Sequence, residues 1–183
     1  LSRIDASVPV LLLDTLLLFP ETLAYQHDLS ALLGLTDVRR ITPDERPDPD
    51  RTLHDRDSSA CCALRKIAPL QEALTEFDAV VTGRKRFQTG QRAAMTRFEH
   101  DGRHLKVNPL ADWSAAQIAA YFNTHDLPRH PLVAKGFASI GCAPCTSPVS
   151  AGEDPRAGRW RGEVRQECGI HFKADGKVER KAG

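Results

Sequence analysis

No stretch of this chain stays apolar long enough to cross a bilayer. The longest run, Val8 to Phe19, is broken by Asp14-Thr15 and falls short of the roughly 20 residues a spanning helix needs. No charged leader with a cleavage site precedes it. A disulfide framework is also missing: the five cysteines are odd in number and cluster two by two, which points to metal binding or thiol chemistry. Charge of one sign is nearly absent. Lys plus Arg number 25 against 24 Asp plus Glu, a net of +1, so any anion site must be local, and neither nucleic acid nor membrane is an expected partner. Internal repeats are lacking too. There is no initiator Met, and the chain opens at Leu1 close to its first strand, so an N-terminal segment is expected to be missing. What is present, 183 residues with 41% hydrophobic and 27% charged content, suffices for one domain over 1–172 with a polar, fraying tail at 173–183. A cytoplasmic location is expected, and a homo-oligomer is allowed.

The pattern along the chain is α/β. Val8 to Asp14 reads as a buried parallel strand ending at a functional sheet edge. A helix follows, with Pro20 in its first turn and Gly34 at the position after its C-cap. Val38 to Ile41 reads as a second strand, and Pro43 to Asp57 as an exposed, proline-rich loop. Ser58 or Ser59 is the expected cap of a helix carrying Cys61, Cys62, Leu64, Arg65 and Lys66, which Pro69 breaks or restarts. A third strand, Asp78 to Thr82, ends at Gly83. This alternation predicts a parallel sheet with flanking helices, whose ligands sit beyond the strand ends at Asp14-Thr15 and Thr82-Gly83. Asp101-Gly102 marks a hairpin, and Ser114-x-x-Gln117 a capping box before the Ile118, Tyr121 and Phe122 stripe, with Trp113 placed to staple it.

The chemistry gathers near the C-terminus. Cys142-x-x-Cys145 is a spacing that holds zinc or an iron–sulfur cluster. Adjacent Cys61-Cys62 side chains diverge, which strains a single tetrahedral ion and favours a [4Fe–4S] cluster offering separate irons. The competing reading makes both of them buried small hydrophobes. Cys168, near Arg165 and His171, is a nucleophile if exposed and filler if buried. Arg156 and Arg159, three apart in a Gly/Pro-shaped loop, suit bidentate capture of phosphate or sulfate, or else form solvated surface. Arg84-Lys-Arg86 after Gly83 is a second anion candidate or an ordinary basic loop. Lys66 lies one helical turn beyond Cys62 and could bring positive charge to metal and substrate alike.

These residues resemble the assimilatory adenylyl-sulfate (adenosine 5′-phosphosulfate) reductases, relatives of the phosphoadenylyl-sulfate reductases. The likeness runs through Val8 to Asp14, Phe19-Pro-Glu-Thr22, Cys61-Cys62-Ala-Leu-Arg-Lys66, Thr82-Gly-Arg-Lys-Arg86, Lys106 to Trp113, Ser139-Ile-Gly-Cys142-Ala-Pro-Cys145-Thr, Gly152-Glu-Asp-Pro-Arg156-Ala-Gly-Arg159-Trp160 and Glu167-Cys168-Gly-Ile-His171. The resemblance implies an adenine-nucleotide α-hydrolase-like fold, a [4Fe–4S] cluster on Cys61, Cys62, Cys142 and Cys145, and Cys168 as nucleophile. It implies phosphosulfate contacts at Lys66, Arg156, Arg159 and His171, and a nucleotide-side segment at Gly83 and the basic loop with Arg86. The four cluster cysteines look like the adenylyl-sulfate branch. Two departures stand out: the family's Ser/Gly-rich nucleotide loop would precede Val8, and its Asp-Thr-Gly with a following basic residue reads here Asp14-Thr15-Leu16-Leu17.

The activity so implied is thioredoxin-dependent reduction of adenylyl sulfate to sulfite and AMP, through a sulfonated Cys168, in sulfate assimilation towards cysteine. Cations must offset the repulsion between thiolate and phosphosulfate. The rival expectations are a reductase of the 3′-phosphorylated nucleotide, an RNA-thiolating enzyme of similar fold, and a non-catalytic zinc or cluster module.

Overall fold

The computed structural model describes residues 1–163 together with two short strands, His171–Phe172 and Val178–Glu179. The chain divides into two compact units, Leu1–Ala73 with His130–Arg165, and Leu74–Arg129 with Gln166–Gly183.

In the first unit, β1 (Val10–Leu13) pairs in parallel with β2 (Val38–Ile41), Val10 opposite Val38 and Leu13 opposite Ile41. The expected strand is there, but shorter than Val8 to Asp14. Its residues are half-buried rather than buried, and the sheet they form has two strands. Between the strands runs α1 (Pro20–Leu32), with Pro20 at its start, where the missing N–H leaves nothing unsatisfied. It ends as the glycine predicts: Gly34 adopts φ +63° and donates to Ala31 O, while Leu35 N reaches Ser30 O, the double closure of a Schellman motif.

The proline-rich loop is not simply exposed. Pro43 and Asp48 are buried, and a short α2 (Leu53–Arg56) lies within the loop. The helix after it, α3 (Ser58–Cys62), is capped by Asp57 rather than by a serine, its carboxylate accepting from Ser59 N and Ala60 N. An aspartate one residue upstream offers the same reach with a charge that suits the positive helix end. From Ala63 to Ile67 the backbone widens into a π turn, with Ala68 N bonded to Ala63 O, before α4 (Ala68–Ala73) resumes and packs on β2. Pro69 accounts for the widening: it has no N–H to give Arg65 O, and its ring would collide with that carbonyl in a regular helix. Three consecutive residues, Arg65, Lys66 and Ile67, are buried as a result.

In the second unit β5 (His104–Val107) lies between β3 (Ala79–Val81), in parallel, and β4 (Phe98–Asp101), antiparallel across the Asp101-Gly102 turn. The hairpin expectation holds. So does the capping box of α5 (Ala115–Thr124): Ser114 Oγ accepts from Gln117 N, and Gln117 Oε1 from Ser114 N. Parallel strands with helices are therefore present as expected, hydrogen-bonded into two sheets rather than one. In this unit Leu74, Met95 and Ala111 are buried. The first unit encloses charged and polar side chains as well, Arg65, Asp14, Thr15 and Asp48, as the second encloses Asn108 and His104. A buried charge is tolerated only when paired, so the charged ones among these need partners. No helix among the described residues is long and apolar enough to cross a membrane.

Candidate functional site

The tandem cysteines come from the end of α3, and the second pair from a loop that a short helical turn, Ala143–Cys145, folds back on itself. Cys61, Cys62 and Cys142 are buried and Cys145 half-buried, all four as free thiols. The end of β1 joins the two segments. Ala143 N donates to Leu17 O at 2.7 Å, Leu18 bridges Cys142, and the Thr15 hydroxyl lies 3.2 Å from Cys142 Sγ.

This edge carries Leu16 and Leu17, where the resemblance implies a glycine and a basic residue. Leu16 nevertheless adopts the left-handed conformation, φ +59°, that glycine would take without cost. Asp14 makes it possible: one carboxylate oxygen accepts Leu16 N at 2.8 Å while the other is held by Arg40, and Thr15 Oγ1 accepts Leu17 N. The turn geometry is retained and the positive charge is not.

The electrostatics of Cys61, Cys142 and Cys145 are shared. Burial pushes the Cys61 thiol up in pKa; Arg65 opposes the rise most, Cys142 and Cys145 add to it, and Lys66 again opposes it. Cys145 is likewise raised by burial and by Cys142, with Lys66 and Arg159 pulling the other way. Lys66 is only 8% exposed, and its charge reaches a thiol of each pair.

The arginine loop is sewn to the second cysteine pair. Ser147 N donates to Gly158 O, Trp160 N to Cys145 O, and Thr146 bridges Arg159. Arg159, 9% exposed, directs Nη1 to Ile140 O at 3.2 Å and Nε to Cys145 O, with its guanidinium 4.3 Å from the Trp160 ring centroid. Gly141 makes room for it, since a Cβ there would lie 2.3 Å from Arg159 Nη2. Arg156 extends Nη1 towards Ser139 Oγ at 3.4 Å. Both arginines thus address the segment carrying Cys142 and Cys145.

Gly83 and Arg86 belong to the second unit. Gly83 is exposed with open space at its α-carbon, and Arg86 donates to Met95 O at 2.5 Å and pairs with Asp112. Arg84 is tied to Glu99 and to Asn108, which is wholly buried. His171 lies in a strand paired with Glu179; its side chain and Cys168 lie outside the described residues.

Three partnerships have little sequence signal: Arg65 with Asp48, 2.6 Å apart and each 1% exposed, Asp14 with Arg40, and His130 with Thr22 at 3.0 Å. Arg65 could have been suspected from its place between Cys62 and Lys66. Asp48, in a stretch reading as surface, could not.

Among the described residues no group of three or more His, Cys, Asp or Glu side chains is arranged to hold a metal ion. The donor chemistry nevertheless suits an anionic iron–sulfur group: four free thiols, of which Cys61, Cys142 and Cys145 lie within electrostatic range of one another, with Arg65 and Lys66 acting on Cys61 and Lys66 and Arg159 on Cys145.

A family model, the phosphoadenosine phosphosulfate reductase domain, matches residues 1–148. Adenosine 5'-phosphosulfate reductase of Mesorhizobium japonicum is 47% identical over 176 residues, covering 94% of this chain and 69% of that protein. The corresponding protein of Chelativorans sp. is 46% identical over 175 residues, covering 93% and 71%. Among solved structures, a phosphoadenylyl-sulfate reductase from Candida auris in a phosphate complex superposes with a TM-score of 0.68 at 28% identity, over 81% of this chain and 74% of that one.

Proposed function

From the premise that the chain belongs to the phosphoadenosine phosphosulfate reductase family and reduces adenosine 5'-phosphosulfate in sulfate assimilation, we propose how it does so. The Cys168 thiolate attacks the sulfur of adenylyl sulfate. A sulfur–sulfur bond forms, the sulfur–oxygen bond to the phosphate breaks, and the electron pair leaves on the phosphate oxygen as AMP departs. A thioredoxin thiolate then attacks Sγ of the sulfonated Cys168, forming a mixed disulfide and expelling sulfite with the pair of the broken sulfur–sulfur bond. Thioredoxin's second thiol resolves the mixed disulfide and restores Cys168, so its dithiol supplies both electrons. Chemistry that runs on free thiols and a reduced thioredoxin suits a reducing compartment such as the cytoplasm.

The observation that carries this reading is the gathering of cations around the four buried or half-buried thiols. A thiolate approaching a phosphosulfate meets like charge, and Lys66, Arg156, Arg159 and His171 would offset it, with Gly83 and Arg86 receiving the nucleotide. Cys61, Cys62, Cys142 and Cys145 would hold a [4Fe–4S] cluster, and a bound cluster would supply local electrostatics and rigidity rather than electrons. Arg159, with two of its nitrogens on backbone carbonyls of the cysteine loop, would pass the position of that loop on to the substrate side.

The test is Cys168→Ser. It is expected to keep iron and sulfide at native levels while sulfite release falls by about 10²-fold or more, and no S-sulfonate should be trapped on the chain by mass spectrometry after incubation with adenylyl sulfate alone. Native-like turnover in that variant would overturn the assignment.

A further inference from the structure

The most completely enclosed ion pair among the described residues lies beside the cysteines and has no place in the chemistry above. Asp48 and Arg65 are each 1% exposed, and nearly every polar atom of the two is spoken for. Asp48 Oδ2 accepts Arg65 Nη2 at 2.6 Å and Nε at 3.2 Å, and Asp48 O accepts Nη2 again at 3.1 Å. Asp48 Oδ1 accepts Thr52 N and Leu53 N, at 3.0 and 3.1 Å, at the entry to α2. Arg65 Nη1 continues to Thr15 O at 3.1 Å, and the Thr15 hydroxyl is 3.2 Å from Cys142 Sγ. A continuous path therefore runs from the proline-rich loop through the helix of Cys61 and Cys62 to the other cysteine pair.

Such a pair is poorly explained by stability alone. Removing two charges from water is costly, and apolar residues of similar volume often serve the fold as well or better. What an ion pair adds is a charge fixed in one place and orientation. The guanidinium is planar and its donors diverge at set angles, so one carboxylate on one side and one carbonyl on the other leave it a single pose.

Resting on the cluster reading given above, we propose that Asp48 is a positioning residue of the thiol site: by locking the Arg65 guanidinium against Thr15, it sets the register between the two cysteine-bearing segments and makes the 43–57 loop the cover of the cluster. Arg65 is the fixed cation acting on Cys61, and Asp48 is what fixes it. The 43–57 loop is thereby a working part of the site.

The experiment measures how fast the visible iron–sulfur absorption of the anaerobically purified chain is lost in excess iron chelator, alongside iron and sulfide content and the visible circular dichroism of the cluster. Asp48→Asn is expected to lose the cluster about tenfold faster or more, the range typical when a partner of a metal ligand is removed, and to change the dichroism. Asp44→Asn, which breaks the exposed pair with Arg46 in the same loop, is expected to behave as the native chain. Because Asp48→Asn leaves a buried charge and can fail to fold, the double variant Asp48→Leu with Arg65→Met is the second arm, an apolar replacement that restores packing. It is expected to fold and still lose its cluster fast. Either variant, folded and with native chelation kinetics and dichroism, would show the pair to be structural filler and overturn the proposal. A native chain purified without iron and sulfide would instead bring down the cluster reading, and this proposal with it.

Discussion

Leu16 shows how a local rule is broken and then compensated. A non-glycine residue in the left-handed region is disfavoured by about 1–2 kcal/mol, and it survives here because Asp14 accepts its N–H and is itself clamped by Arg40. Leu16→Gly should therefore stabilise the chain by about 1 kcal/mol less the entropy glycine adds to the unfolded state. Urea denaturation checks this, and a net destabilisation would mean that the leucine side chain contributes packing that outweighs the strain. Gly141 is the opposite case. The Arg159 guanidinium occupies the space a methyl group would need, so Gly141→Ala should push Arg159 off Ile140 O and Cys145 O. The expected readout is a KM for adenylyl sulfate raised about tenfold or more with a smaller change in kcat, as loss of a ground-state contact requires. An unchanged KM would place Arg159 outside the substrate site.

At the level of elements, the turn after residue 130 is tuned to a neutral imidazole. His130 Nδ1 accepts Leu132 N at 3.2 Å, which caps the helical turn Pro131–Lys135, so the proton sits on Nε2, which donates to Thr22 Oγ1. Burial holds the pKa of His130 below its ordinary 6.5, with Glu21 opposing. The folded state then binds fewer protons than the unfolded state between the two values. Stability contributed by His130 is complete above pH 6.5 and is lost as pH falls through the depressed folded value. Melting temperature should drop between pH 7 and 5 in the native chain and drop less in His130→Gln; equal slopes in the two would show that other groups carry the acid sensitivity. The cap of α5 offers a simpler check. Ser114→Ala removes half of a capping box and should cost about 1 kcal/mol, read by denaturant midpoint at unchanged m-value.

Across the whole molecule, both units bury polar as well as apolar side chains, but the buried Arg65, Asp48 and Thr15 of the first are linked to the cysteine segments. Removal of the proposed cluster should therefore not loosen the chain evenly. Hydrogen exchange after chelation should speed up about tenfold or more over 58–73 and 139–147, while the 98–107 hairpin and α5 keep their protection; a uniform rise would mean the chain opens as a single cooperative body. Much of this was legible without coordinates. Local signals carried α1 with its Gly34 closure, the Asp101-Gly102 hairpin and the Ser114 box, because caps and turns depend on residues three or four apart. The cysteine spacings and the arginine loop carried the candidate site for the same reason, each motif being short and contiguous. What sequence could not show were the partners separated by long stretches of chain: Asp48 meeting Arg65 across 17 residues, Arg65 meeting Thr15 across 50, and Thr15 meeting Cys142 across 127. Amino-acid order determined which chemistry the chain owns and where α1, the Asp101-Gly102 turn and α5 begin. Folding alone decided that a loop of prolines and acids would turn one aspartate inward, since a charge enters a protein interior only when a distant partner is already there to receive it.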